Sequence, residues 1–194
     1  IEKTPGKTIV IGAGFLGILA VQIIRSEFPD LELAIIDRNA FKLKIAEKYV
    51  DEKIQLNNGD EWLKFLNKHS FHNVIEATGS PDSFRHTISL AAHGGNILWM
   101  GNITNELTLP KDLVSTVLRK ELSILGTWNS IYRPQKADDW KDSIEFIQNG
   151  VRPSDLVSHW ISLEELPDTL KKLYDHKVRK KAFDSVKVMV NNRA

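Results

Sequence analysis

The chain has 194 residues, 42% of them apolar, with 26 Lys plus Arg against 25 Asp plus Glu for a formal net charge of +1, and it has no cysteine. That length and apolar content support one ordinary domain plus an appendage with a real core, which sets disorder aside. Near-balanced, interspersed charge gives no long-range field to capture nucleic acid or an anionic membrane, so neither is an expected partner, and the absence of cysteine excludes disulfides and thiolate metal sites.

The chain begins at Ile1 with no signal-peptide pattern, which reads as a piece of a longer protein. A cysteine-free chain suits a reducing compartment, and the cytoplasm is the expected location. Between Thr8 and Trp128, short aliphatic runs alternate with helical patterns, which predicts strands buried on both faces. Six strands are expected: TIVIG from Thr8, LAIID from Leu33, KIQ from Lys53, NVIEA from Asn73, NILWM from Asn96 and LSILGTW from Leu122. The helix after the first strand carries Phe15, Leu16, Ile18, Leu19, Val21, Ile23 and Ile24, an apolar density that predicts a sandwiched helix. Its apolar stretch is interrupted by Gln22 and stopped by Arg25, well short of the roughly 20 residues a bilayer needs. Asn39 and Asp60 are expected N-caps, Ser80 followed by Pro81 starts a further helix, and Gly94 and Gly95 are expected to end it. Such alternation with short connections implies right-handed crossovers and a doubly wound parallel sheet over residues 1–130.

Beyond Trp128 the pattern changes to a small α+β extension over residues 131–194. SIYRPQ reads as a loop, and a helix follows from about Asp138 to Asn149, with Trp140, Ile144 and Ile147 on one stripe and Gly150 as its stop. A strand from Val157 to Ile161 leads to Ser162 and Glu165 at capping-box spacing. Pro167 leaves a second helix start open, one turn later with itself at the first helical position. Val186 to Val190 reads as a last strand.

Gly12, Gly14 and Gly17 form G-x-G-x-x-G where the first strand meets its helix, with Phe15 and Leu16 inside the motif. In that context Gly12 permits the tight turn, Gly14 lets backbone approach a pyrophosphate, and Gly17 brings helix and strand together, while the helix N-terminus faces the phosphates. Asp37 ends the second strand, where its carboxylate can accept from the adenosine ribose hydroxyls. The combination predicts a Rossmann-type fold that binds a dinucleotide. Asp37 favours NAD over NADP, because a 2′-phosphate about 4 Å away meets repulsion of about 4 kcal/mol at an effective dielectric of 20. Arg38 and Lys42 read either as attractants for such a phosphate or as solvated charges.

With TIVIGAGFLG, the IIDR strand end, KLKIAEKY, VIEATGSP, HGGNILWMGN and LSILGTWNS in view, the chain resembles the medium-chain, zinc-dependent alcohol and polyol dehydrogenases over almost its whole length. GTWNS looks most like their galactitol-1-phosphate 5-dehydrogenase branch. The resemblance implies that Gly12, Gly14 and Gly17 face the pyrophosphate, Asp37 and Lys42 the adenosine ribose, and Thr78 and Gly79 the adenine side. It implies that Thr127 and Trp128 meet the nicotinamide through backbone, with Asn129 and Ser130 toward substrate. For Trp128 core packing remains an alternative, and for Asn129 and Ser130 an ordinary polar loop. The resemblance further implies a catalytic zinc held by Cys, His and Glu of a separate N-terminal domain, which the extension would return to complete. This chain alone is then expected to bind NAD and catalyse nothing, and to expose Trp140, Ile144 and Ile147. The edge strand 122–128 offers a route to a homodimer or higher oligomer, as the resemblance implies, with an edge covered by the extension itself as the alternative.

His69 and His72 are the closest histidine pair but have no third ligand nearby in sequence, so no metal site is expected within the chain. Tyr132 and Lys136 match Y-x-x-x-K, yet Pro134 between them opposes the helical turn that a proton-relay pair needs. A regulatory nucleotide-sensing domain, of the kind attached to potassium channels, is the alternative function. It would leave GTWNS and the extension unexplained.

Overall fold

The computed structural model describes residues 6–133, 137–179 and 181–191. Strands β1 (Thr8–Ile11), β2 (Leu33–Asp37), β3 (Glu52–Gln55), β4 (Phe71–Glu76), β5 (Ala91–Trp99) and β6 (Ser123–Gly126) form one sheet in the order β3-β2-β1-β4-β5-β6. Every pairing in it is parallel. The connections carry α1 (Phe15–Glu27), α2 (Ala40–Ala46), α3 (Gly59–Leu66), α4 (Pro81–Leu90) and α5 (Lys111–Arg119). A parallel ladder cannot close through a hairpin, so each crossover carries a helix back across the sheet.

The period-two alternation of the strands sorts the core into layers. Ile9, Ile11, Ala34, Ile36, Val74 and Ile97 pack with Phe65 of α3 and with Phe84 and Ile88 of α4. The alternate residues Val10, Ile35 and Ile75 are equally buried, and α1 contacts β1 and β2. Burial on both faces does not extend to the sheet edges. In β3 only Ile54 is partly covered, and all of β6 is exposed.

Two expectations about helices also fail. Only Gly17, Ile18, Val21 and Gln22 of α1 are buried, and Leu16 is 54% exposed. One stripe of α1 meets the sheet, and apolar density alone does not bring a second layer over the other face. The α3 cap is Asn58 rather than Asp60. Asn58 Oδ1 accepts from the Glu61 amide at 3.0 Å, while Glu61 Oε2 accepts from the Asn57 amide at 2.6 Å. Asn39 and Ser80 start α2 and α4 as expected, with the Asn39 side chain accepting from the Lys42 amide.

Gly94 and Gly95 do not end α4, which stops at Leu90. Strand β5 begins at once with Ala91 opposite Phe71, then shifts register before Asn96 pairs with Asn73. Gly94, at φ 67°, lies within that irregularity. In the expected SIYRPQ loop, β7 (Tyr132–Arg133) pairs antiparallel with β8 (Ala137–Asp138). Pro134, Gln135 and Lys136, and with them the Y-x-x-x-K match, lie outside the described residues. Asp138 caps α6 (Asp139–Gln148) by accepting from the Lys141 amide. Trp140, Ile144 and Ile147 are exposed along it, Trp140 at 68%.

Contacts divide the chain into two units, residues 1–151 and 152–194. The second is β9 (Val157–Ile161), α7 (Leu166–Arg179) and β10 (Lys187–Val190), with β10 parallel to β9. The capping box forms: the Ser162 amide donates to Glu165 Oε2 at 2.8 Å and the Glu165 amide to Ser162 Oγ at 3.4 Å. Helix α7 therefore starts at Leu166, with Pro167 in its first turn, where a missing N–H is harmless. Among the described residues no helix is long and apolar enough to cross a membrane.

Candidate functional site

Parallel strands all finish on the same side of a sheet, so the turns after β1, β2, β4, β5 and β6 share one rim. The sheet order reverses direction between β1 and β4, and the crevice outside that switch point is where such folds take ligands. Gly12, Gly14, Phe15, Leu16 and Gly17 follow β1, Asp37 closes β2, and Thr78 and Gly79 follow β4. Thr127, Trp128, Asn129 and Ser130 follow β6. The structure thus brings the sequence-selected residues to one edge.

The three motif glycines are required for different reasons. Gly12 has φ 109°, in the left-handed region, and a Cβ there would lie 2.7 Å from Thr78 Cγ2. A Cβ at Gly17 would run into the carbonyl oxygen of Gly12, a backbone obstacle that cannot swing aside. Gly14 is different: a Cβ there would meet no atom within 4 Å. It caps α1 with extended backbone and makes no side-chain capping bond. The positive end of the helix dipole lies here, and with no Cβ at Gly14 an anion can approach this opening closely.

Asp37 is tied to that opening. Its Oδ2 accepts from the Ala13 amide at 2.7 Å and its Oδ1 from the Asn39 amide at 2.8 Å. The Gly12 amide also bonds the Ile36 carbonyl at 2.8 Å, so the glycine turn and the end of β2 are one hydrogen-bonded unit. Each carboxylate oxygen keeps a second acceptor position, enough for a ribose diol. Arg38 is exposed, and its carbonyl accepts from Gln55 Nε2; Lys42 is half-buried in the first turn of α2.

On the β6 side the Thr127 amide bonds the Trp99 carbonyl at 3.0 Å, extending the ladder past Gly126. Trp128 is 66% exposed, so core packing does not account for it. Asn129 adopts φ 35°, and both it and Ser130 are exposed.

Sequence reading missed Glu76. This last residue of β4 is wholly buried, and its carboxylate accepts from the Thr78 amide at 2.9 Å, the Thr78 hydroxyl, and the Gly79 amide at 3.2 Å. The available signal was a lone charge ending an apolar strand run. Among the described residues no three His, Asp or Glu side chains converge to hold a metal ion. His69 stacks on Phe65, and His86 stacks on Trp62, where burial lowers its pKa.

Comparison with known proteins agrees with this fold. The family model described as zinc-binding dehydrogenase matches residues 16–149. D-arabinitol dehydrogenase 1 of Uromyces fabae is 26% identical over 182 residues, covering 89% of this chain and 50% of that protein. Galactitol 1-phosphate 5-dehydrogenase of Escherichia coli is 24% identical over 170 residues, covering 84% and 48%. Among solved structures, a short chain alcohol dehydrogenase of Escherichia coli complexed with cofactor NADH superposes with a TM-score of 0.77 at 20% identity, over 96% of this chain and 52% of that one. Galactitol-1-phosphate dehydrogenase of Escherichia coli gives 0.71 at 22%, over 90% and 51%. The structural likenesses establish the fold, and the chain spans about half the length of the relatives it matches. From the family match, the chain belongs to the zinc-binding dehydrogenases.

Proposed function

We propose that this chain is the cofactor-binding portion of an NAD-dependent, zinc-type alcohol or polyol dehydrogenase that moves hydride between a secondary alcohol and NAD. The observation that carries the reading is the open space at the Gly14 Cβ position, at the N-terminus of α1, joined to Asp37 through the Ala13 amide. It supplies donors for a diphosphate and acceptors for a ribose diol side by side. In this reading Gly12, Gly14, Phe15, Leu16 and Gly17 cradle the diphosphate. Asp37, Arg38 and Lys42 surround the adenosine ribose, with Asp37 selecting NAD. Thr78 and Gly79 line the adenine side. Backbone of Thr127 and Trp128 meets the nicotinamide, and Asn129 and Ser130 face substrate.

When bound, the nicotinamide would accept or return hydride, and a zinc would supply Lewis-acid polarisation of the alcohol oxygen. The zinc ligands would lie in a part of the whole protein outside this chain. Residues 131–194 would complete that catalytic part, and the isolated chain would bind NAD without turnover. A sugar-alcohol phosphate is the proposed narrower substrate class, from the likeness to galactitol 1-phosphate 5-dehydrogenase. A cytoplasmic location fits a cysteine-free chain. A homodimer or higher oligomer would form through the edge at 122–128, where β6 presents exposed Ile124 and Leu125.

The test is NADH fluorescence titration with ATP and ADP as competitors. Saturable binding that selects NADH supports the dehydrogenase reading. Preference for ATP or ADP would move the chain to the nucleotide-sensing class.

A further inference from the structure

We propose that Glu76 is a positioning residue for the dinucleotide: it never touches the ligand but sets the β4–α4 turn against the glycine turn that cradles it. This inference rests on the NAD reading above. Burying a carboxylate is costly unless hydrogen bonds compensate it, and among the described residues no lysine or arginine pairs with Glu76. Its compensation is instead the turn itself. Three donors from Thr78 and Gly79 converge on its two oxygens.

Two neighbouring turns lean on the one so fixed. Thr78 Cγ2 and the Ala77 carbonyl wall off the space beside Gly12, where a Cβ would lie 2.7 and 3.3 Å from them. The Ala77 amide also bonds the Ile11 carbonyl at 2.9 Å. On the other side the Glu76 main-chain carbonyl accepts from Met100 and Gly101, at 2.9 and 3.0 Å. A Cβ at Gly101 would strike both the Glu76 carboxylate and the Gly79 amide, and one at Gly79, itself at φ 70°, would strike the Asn102 carbonyl. Glu76 is therefore the point through which the ends of β1, β4 and β5 keep register at the crevice floor. Replacing one of its oxygens by an amide NH2 sets donor against donor, and the turn must reorganise to escape.

Three variants of the 194-residue chain test this by NADH fluorescence titration, urea unfolding and amide hydrogen exchange. Glu76→Gln is expected to weaken NADH binding at least about tenfold and to speed exchange at Thr78 and Gly79. Thr78→Val keeps the methyl facing Gly12 and removes the hydroxyl that donates to Glu76 and accepts from the Ser80 amide. It is expected to weaken binding severalfold and to speed exchange at Gly79, and if Glu76→Gln does not fold, wild-type affinity with wild-type Gly79 exchange in Thr78→Val overturns the role. Asn73→Ala is the control. It removes buried bonds to Thr8 and Asn96 at the far end of the same strand, at 3.1 and 3.2 Å. It should lower the urea midpoint while holding NADH affinity within about twofold. Wild-type affinity in a folded Glu76→Gln, or equal losses in Glu76→Gln and Asn73→Ala, would overturn the role of Glu76. A wild-type chain that ignores NADH would instead overturn the cofactor reading, a failure visible before any variant is compared.

Discussion

Gly14→Ala and Gly17→Ala should part company, because the structure gives the two glycines different reasons to be there. Gly14 has φ −74°, which any residue adopts, and open space where a Cβ would go. Alanine is a poorer N-cap than glycine by several tenths of a kcal/mol, and it restricts the unfolded chain in its favour by about 0.4–1 kcal/mol. Stability should therefore stay within about 0.5 kcal/mol of wild type. The new methyl nevertheless stands where a diphosphate must approach the helix end. Displacing the phosphates by about 1 Å from their donors should cost at least tenfold in NADH affinity, about 1.4 kcal/mol. Gly17→Ala drives a methyl into the Gly12 carbonyl, so α1 itself has to move. Overpacking of this kind costs about 1–3 kcal/mol, and a backbone obstacle puts it at the upper end. With about 2–4 °C per kcal/mol at this chain length, Tm should fall by about 5–10 °C. Thermal unfolding paired with NADH titration reads both quantities. Wild-type NADH affinity in Gly14→Ala, or wild-type Tm in Gly17→Ala, would refute the assignment of roles.

Asp37→Asn should weaken NADH and narrow its advantage over NADPH by removing charge near the 2′ position, as competitive titration would measure. Asp37→Ala should gain less NADPH affinity, because it also strips the acceptor from the buried Ala13 amide, at about 1–3 kcal/mol. Asp51 accepts from the Leu33 amide and from Arg25, and these bonds, the backbone one first, hold its pKa below the ordinary 3.8. A lowered folded-state pKa means that its stabilisation is fully present above pH 3.8 and is lost as pH falls through the still lower folded value. Urea midpoints of Asp51→Asn should accordingly lie below wild type near neutrality and converge with it in acid. Leu125, 60% exposed on β6, offers a direct handle on assembly. Leu125→Lys should shift sedimentation toward monomer if this edge is the dimer contact, and an unchanged dimer would place the contact elsewhere.

Elements whose identity depends on local chemistry were legible in the sequence. The aliphatic runs at Thr8–Ile11 and Leu33–Asp37, the Asn39 cap and the Ser162/Glu165 box all form as read. Asp60 lost to Asn58 because the cap that forms is reciprocal with Glu61, and an N-x-x-E spacing was there to be seen. The start of β5 was not readable from propensity. Ala91 becomes strand by pairing with Phe71, and the glycines then absorb a register shift that exists only between two strands. Edge exposure in β3 and β6 is likewise a property of sheet order, which no single strand encodes. At the site, the motif glycines and Asp37 were visible through their spacing. Glu76 was not, because its meaning lies in which amides it receives.

The most direct measurement is a crystal structure of this chain grown with NADH. The account predicts the diphosphate over the turn from Gly12 to Gly17 and the adenosine ribose diol on the Asp37 carboxylate. Cofactor bound at another edge of the sheet, or side chains filling the space beside Gly14 with NADH present at saturating concentration, would contradict it.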